Sequence, residues 1–429
     1  EPEGCHGCLG LAEQTRKQKG VLDPGSRGNV AWAPEIPGMR IHAALATVAV
    51  VSALVSFAST ARADSMDPAI ERLTKPFEVD NATGLTAADL PTGNSCIAAG
   101  GRVIPLIGAN GRTSVVQCRP DNIAFAKLIN QYATAIAPTA MHSARTTGFG
   151  SFHLSFEGAF TTIDNSASYW KDGTRGPQDA SDKKFSIRNN DPASLLQVYS
   201  IKIRKGFPFG LEVGAQVGTM SQTNIVTGGA DVRMSLLEGF RKGFFGILPD
   251  LAAGGGVRTI SGTPQFNLTV ASFDLQISKN LPVGDSNILI PYAGFQQLWI
   301  FGDSGLVDTT PRTDPLGYCN YSGANVPGNS DPKKFTDAAD PKGTRFYDGQ
   351  PNCQGGSPLD FNNTFVFEKV RLQRRRFIAG LHYRYEYVYL GGQFMSDIGA
   401  PKDGPGEDNK KLEGEKGQNS FIFEVGAFF

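Results

Sequence analysis

From Thr146 to the end of the chain, apolar and polar residues alternate with a period of two. Phe152, Leu154, Phe156 and Phe160 alternate with Ser151, His153, Ser155 and Glu157. Tyr199, Ile201 and Ile203 alternate with Ser200, Lys202 and Arg204. Leu211, Val213, Ala215 and Val217 alternate with Glu212, Gly214, Gln216 and Gly218, and Val232, Met234 and Leu236 with Asp231, Arg233 and Ser235. Successive side chains on a strand point to opposite faces, so each run predicts a strand with one apolar face. Segments 250–260, 266–279, 286–302, 366–385, 387–397 and 418–429 complete ten predicted strands. Most are near the length that crosses a bilayer obliquely. The pattern slips at Ala271-Ser272, which predicts a β-bulge. In 286–302 the alternation does not say which face points outward.

Upstream the period changes. Asp121 is placed to cap a helix running to about Ala137, and Phe125, Leu128, Ile129, Tyr132 and Ile136 form one stripe at helical spacing. Pro138 ends it. The stripe needs a core to bury it, either by plugging the lumen of a barrel or by packing beneath one. Residues 64–120 are rich in Pro, Gly, Asn and Thr and read as a small, loop-rich segment.

Alternation alone also fits a soluble sandwich. The connections argue for a barrel. Long gaps follow the first, seventh and ninth strands, at 165–194, 303–365 and 398–417, and the even gaps are short to moderate. That parity fits a membrane barrel with both strand termini in the periplasm and its longer loops outside. Phe421, Phe423 and Phe429 lie on one face of a last strand that ends in Phe, which resembles the signal read by outer-membrane barrel assembly machinery. An open edge in hydrocarbon leaves backbone groups unpaired at several kcal/mol each, so the last strand must pair with the first. The expectation is an all-β fold, a closed antiparallel transmembrane barrel of about ten strands over 146–429, with eight or twelve as neighbours.

Met39 opens a stretch that reads as a secretory signal peptide, with an apolar run from Ala43 to Phe57 and a small-x-small site at Ala61-Arg62-Ala63. Residues 39–63 would then be removed. Residues 1–38 lack periodicity and read as not part of the native protein; the alternative is a disordered tail. These readings place the chain in the outer membrane of a Gram-negative bacterium, with membrane lipid and the assembly machinery as partners.

Several stretches resemble an uncharacterised group of outer-membrane barrels of myxobacteria and related lineages. They are Arg204-Lys-Gly-Phe-Pro-Phe-Gly-Leu-Glu-Val-Gly-Ala, Leu237-Glu-Gly-Phe, Leu248-Pro-Asp, Phe273-Asp-Leu-Gln-Ile-Ser-Lys279 and Pro291-Tyr-Ala-Gly294. The similarity covers roughly residues 122–300 and the last strand. It implies fold and location, and no activity.

Charge narrows the remaining choices. Lys+Arg and Asp+Glu are both 41, so no global basic face points to nucleic acid. The polar strand faces, read as the lumen, carry the acids Glu157, Glu212, Asp231, Asp274 and Glu424 and the bases Lys202, Arg204, Arg233, Arg258 and Arg384. Five against five reads first as ion pairs filling a narrow barrel, and second as a polar pore whose charges set selectivity. Cys96 with Cys118 and Cys319 with Cys353 read as two local disulfides formed after export. His142, His153 and His382 are not at ligand spacing to a Cys pair, the Asp-rich stretch 303–365 lacks a calcium-loop spacing, and no cofactor is expected.

Three functions follow. The first is a channel or transporter for small or amphipathic solutes. The second is a non-conducting scaffold that works through its long loops. The third, a lipid hydrolase, has only Ser151, His153, Ser155 and Glu157 on one strand face and no G-x-S-x-G elbow, so the expectation is no enzyme. Oligomeric state is not legible.

Overall fold

The computed structural model describes residues 65–76, 103–107, 113–177, 188–237, 248–284, 286–308, 319–321, 351–353, 364–399, 402–403, 412 and 414–429. The readings of residues 1–38 and 39–63 and of Cys96 lie outside these. Backbone pairing sets Cys319 opposite Cys353 and Cys118 opposite Pro76, but the side chains of these cysteines also lie outside the described residues.

Ten long antiparallel strands close into a barrel. They are β1 (Phe152–Thr162), β2 (Leu195–Gly206), β3 (Leu211–Met220), β4 (Val226–Leu237), β5 (Asp250–Ser261), β6 (Phe266–Ser278), β7 (Asn287–Ser304), β8 (Val370–Tyr385), β9 (Val388–Asp397) and β10 (Asn419–Phe428). Each pairs with its neighbour in sequence, and β10 pairs with β1 from Ser420↔Thr161 to Phe428↔His153. Phe152 and Phe429 then exchange backbone hydrogen bonds at 3.0 and 2.9 Å, sealing the seam to the last residue. Closure leaves no sheet edge, which is what a strand set with an apolar outer face requires.

The connections divide the barrel into two rims. The long ones, after β1, β7 and β9, share a rim with the short turns after β3 and β5; this is the loop rim. The chain termini of the barrel and the turns after β2, β6 and β8, including the two-residue turn Glu386-Tyr387, share the other, the turn rim.

The bulge expected at Ala271-Ser272 is not there. β6 keeps unbroken register with β5 and β7 through those residues. What changes at that point is the chemistry of the inward face: Phe266, Leu268 and Val270 give way to Ser272, Asp274 and Gln276, all buried. The register shift lies in β4, between Ser235 and Leu237, near a strand end where bulges commonly sit. In β7 the inward residues are Tyr292, Gln296, Leu298 and Ile300.

Helix α1 (Asn122–Ile136) begins where Asp121 accepts the Ala124 N–H at 3.2 Å, and Ala137 is its C-cap. Its stripe of Phe125, Leu128, Ile129, Tyr132 and Ile136 is buried within the barrel, against β1, β2, β6, β7 and β8. A short helix α2 (Ser168–Gly173), in the connection after β1, covers it at the loop rim.

Candidate functional site

Among the described residues, strands, helix and loops converge in the lumen, and it is filled in two tiers. In the loop-rim half the packing is mainly apolar, with the buried ion pair of Arg374 and Asp397 set where β9 ends. Phe125 stacks on Phe367 with centroids 4.4 Å apart and meets Phe266 edge-on at 6.4 Å. Tyr132 lies 4.9 Å from Trp170 of α2. Around them the barrel contributes Leu196, Val198, Leu268, Leu298 and Ile300, all buried. Gly302 on β7 makes room for the helix, since a Cβ there would sit 2.7 Å from Ile129 Cγ2.

One polar side chain ties this tier to the loops. Gln131 accepts from Trp170 Nε1 at 2.7 Å and from the Asp164 N–H at 3.2 Å, and donates to Glu415 at 3.0 Å. Tyr169 donates to Glu415 at 2.8 Å. Burial, and then the adjacent Glu415 carboxylate, push the Tyr169 hydroxyl pKa up, so it stays a donor at neutral pH.

In the turn-rim half the filling is polar, and the helix has given way to an irregular strap, residues 137–148. Four of the five predicted acids meet four of the five predicted bases. Lys202 lies 3.0 Å from Glu157, Arg233 3.0 Å from Asp274 and Arg258 2.8 Å from Asp231, and Arg204 pairs with Glu424. All eight side chains are inward, and seven of these residues count among the buried ones, Asp231 being the partly exposed exception. The fifth acid, Glu212, accepts the Thr147 N–H of the strap at 2.9 Å. Arg384 departs from the expected lining. It stands half-buried at the turn rim, donates to the Glu386 carbonyl and lies over the Phe428 ring at 4.6 Å. Strand β8 ends there, so its inward position opens onto the mouth rather than the interior.

Two inward arginines were missed. Arg374 pairs with Asp397, and Arg376 donates to Gln296 and to the carbonyls of Thr134 and Pro138. Their signal was present: Phe377 and Leu381 fix the outward parity of β8, which turns Arg374 and Arg376 inward.

The strap is held by its backbone. Gln296 donates to the Pro138 carbonyl at 2.9 Å, Gln393 to Thr139 at 2.6 Å, Gln276 to Ala140 at 2.8 Å and Arg204 to Met141 at 3.1 Å; Arg233 donates to Ser143. The donors come from five different strands. A strap without its own ladder would bury unpaired carbonyls, and these side chains take the place of a ladder.

His153, with Ser155 and Glu157, is fully walled in. Its ring packs on Phe428 at 4.6 Å and Tyr389 at 5.1 Å. Among the described residues no group of three or more His, Cys, Asp or Glu could hold a metal ion.

The outer face is the reverse of the lower lumen. Ile203, Val217, Val232, Leu275, Phe377 and Phe423 are exposed around the barrel, Val217 at 57% and Phe423 at 60%. Of the predicted assembly-signal residues, Phe421 and Phe423 belong to this band, and Phe429 is exposed at its turn-rim edge. A cleft of about 530 Å³ at the turn rim is lined by Arg145, Phe149, Phe207 and Phe209 and lies outside the packed lumen.

No protein-family model matches the chain, and no curated protein matches it. Among solved structures it is similar to the translocator domain of the autotransporter NalP from Neisseria meningitidis, at 11% identity and a TM-score of 0.26, over 71% of this chain and 96% of that one. It is also similar to the attachment invasion locus protein Ail of Yersinia pestis, at 8% identity and 0.20, over 66% and 100%. A third is the outer membrane protein Omp33 of Acinetobacter baumannii, at 7% and 0.20, over 65% and 98%. Scores this low carry no argument about function; the barrel assignment rests on the closed strand register itself.

Proposed function

We propose that the protein is an outer-membrane β-barrel that does not conduct, a scaffold whose lumen is closed by its own segment 121–148 and whose working face is the loop rim. An apolar band running round a closed antiparallel barrel supports membrane embedding, because apolar patches on soluble monomers rarely exceed a few hundred Å². With short turns toward the periplasm, the loop rim faces outward.

The observation that carries the non-conducting reading is the pairing of lumen donors with the strap. An open pore would leave Gln276, Gln296 and Gln393 to water; here each is spent on a strap carbonyl. The channel reading would require the strap and α1 to leave. The hydrolase reading draws no support from His153, whose ring meets Tyr389 and Phe428. The resemblance to myxobacterial barrels adds location and no activity.

Planar-bilayer recording tests this. The intact protein should give no steady current, and a variant lacking residues 65–148 should conduct while keeping heat-modifiable gel mobility. Steady conductance from the intact protein would overturn the reading in favour of a channel.

A further inference from the structure

We infer that residues 65–136 reach the outer surface through the lumen of their own barrel, so that the barrel serves as a conduit for the polypeptide it carries. The inference rests on the outward loop rim proposed above and on the path of the chain.

That path is unusual in one respect. Connectivity alone sets the residues preceding β1 on the same side as β1's start, the turn rim. Instead they lie on the opposite rim. Met66 donates its N–H to the Gln222 carbonyl at 3.0 Å and Ala69 to Gly173 at 2.8 Å. The Ile70 N–H reaches Gln265 at 2.9 Å, and Asp67 accepts from Asn224 at 2.7 Å. Gln222, Asn224 and Gln265 all sit in loop-rim turns. From there α1 descends, and the strap 137–148 runs the rest of the way to β1 at the turn rim. Fully extended, its dozen residues span at most about 40 Å, enough for a hydrocarbon core about 30 Å thick. The strap and helix make an eleventh crossing. Ten strands return the chain to the rim where they began; the eleventh leaves Ser65 and Phe429 on opposite sides. The wall has no gap, so the crossing runs inside it.

The lumen's chemistry suits passage of an extended chain. The five strap contacts from Pro138 to Ser143 go to main-chain carbonyls, which every residue offers. Such a lining grips mainly backbone, with Thr139 adding side-chain bonds to Glu157 and Lys202. At Gly391 a Cβ would stand 2.7 Å from Met141 Cε, so β9 is cut back where the strap passes. The helix and its apolar tier then act as a stop: once folded at the loop rim, Phe125 and Tyr132 anchor the segment against slipping back.

The test uses the full chain in a Gram-negative host, with one epitope inserted at position 90 and, separately, one in the turn at Phe209. Antibody should bind the first on intact cells, and the second only after the outer membrane is permeabilised. A second form carries at position 90 a small domain that a membrane-permeant ligand locks in its folded state. Without ligand the domain should be displayed; with ligand, display should fall at least tenfold while the barrel retains its heat-modifiable mobility. An epitope at position 90 hidden on intact cells, or display unaffected by locking, overturns the conduit. Those results leave the sealed outer-membrane barrel standing, whereas absence of the protein from the outer-membrane fraction overturns both.

Discussion

The two halves of the lumen solve the same problem by different chemistry. Near the loop rim the barrel must hold a helix, whose backbone satisfies itself, so apolar side chains suffice and burial supplies the stabilisation. Near the turn rim it must hold a non-helical strap, most of whose carbonyls have no partner within it, so the wall has to supply donors. Donors such as arginine bring charge, and charge in a narrow interior brings carboxylates to match it. Two of the four ion pairs of the lower tier, those of Arg204 and Arg233, thus follow from what it encloses. Buried pairs are weak evidence for net stability, but removing one partner is costly.

Breaking the contrast should begin there. Arg233→Met leaves Asp274 buried without its guanidinium and the Ser143 carbonyl without its donor; it should cost about 3–5 kcal/mol in urea unfolding from detergent. Adding Asp274→Leu should recover much of that loss, which separates the penalty of a lone charge from any net value of the pair. In the upper tier, Phe125→Ala opens a cavity worth about 3 kcal/mol. Its effect should fall on protease protection of α1, with barrel unfolding little changed. Equal loss of barrel stability would mean that the tiers are one cooperative unit. Overpacking is milder: Gly302→Val sets a side chain against Ile129 and should cost about 1–3 kcal/mol, again read as cleavage within α1.

The smallest effect is electrostatic and lies on the loop rim. Burial pushes the Glu71 carboxyl above its ordinary pKa, with Arg72 and Gln265 only partly opposing it. A raised folded-state pKa favours the protonated form, so this contribution is fully present below about pH 4.3 and is lost as pH rises through the folded value. Protease protection of residues 65–76 should therefore be greater at pH 4.5 than at pH 7. Glu71→Gln, which can still accept from Gln265, should flatten that dependence; a pH response unchanged by the substitution would assign it to another group.

Much of the barrel was legible because a strand whose two faces meet different surroundings must alternate. Where lipid-facing residues oppose a polar lumen, as in Tyr199–Arg204 or Leu211–Val217, the pattern is clean. Where the lumen is itself apolar, both faces look alike. That is why β7 gave no outward face and why β6 showed a slip that was a change of tier rather than of register. The run Arg374-Arg375-Arg376 hid two inward arginines because the outward Arg375 between them erased the contrast. The helix was readable from its cap and stripe, but its position was not.

The sequence by itself determined the ten strands, their order, the rim that carries the long connections, the capped helix and the balance of charge on the polar faces. These follow from local periodicity and chain connectivity, which need no knowledge of distant contacts. Only the tertiary structure decided that the helix and strap lie inside the barrel, that residues 65–73 pack at the far rim, and which carboxylate meets which cation. Those depend on pairings between residues far apart in the chain, such as Arg204 with Glu424, 220 positions apart. Periodicity along one strand cannot encode such a pairing, because it is fixed only when the sheet closes around what it contains.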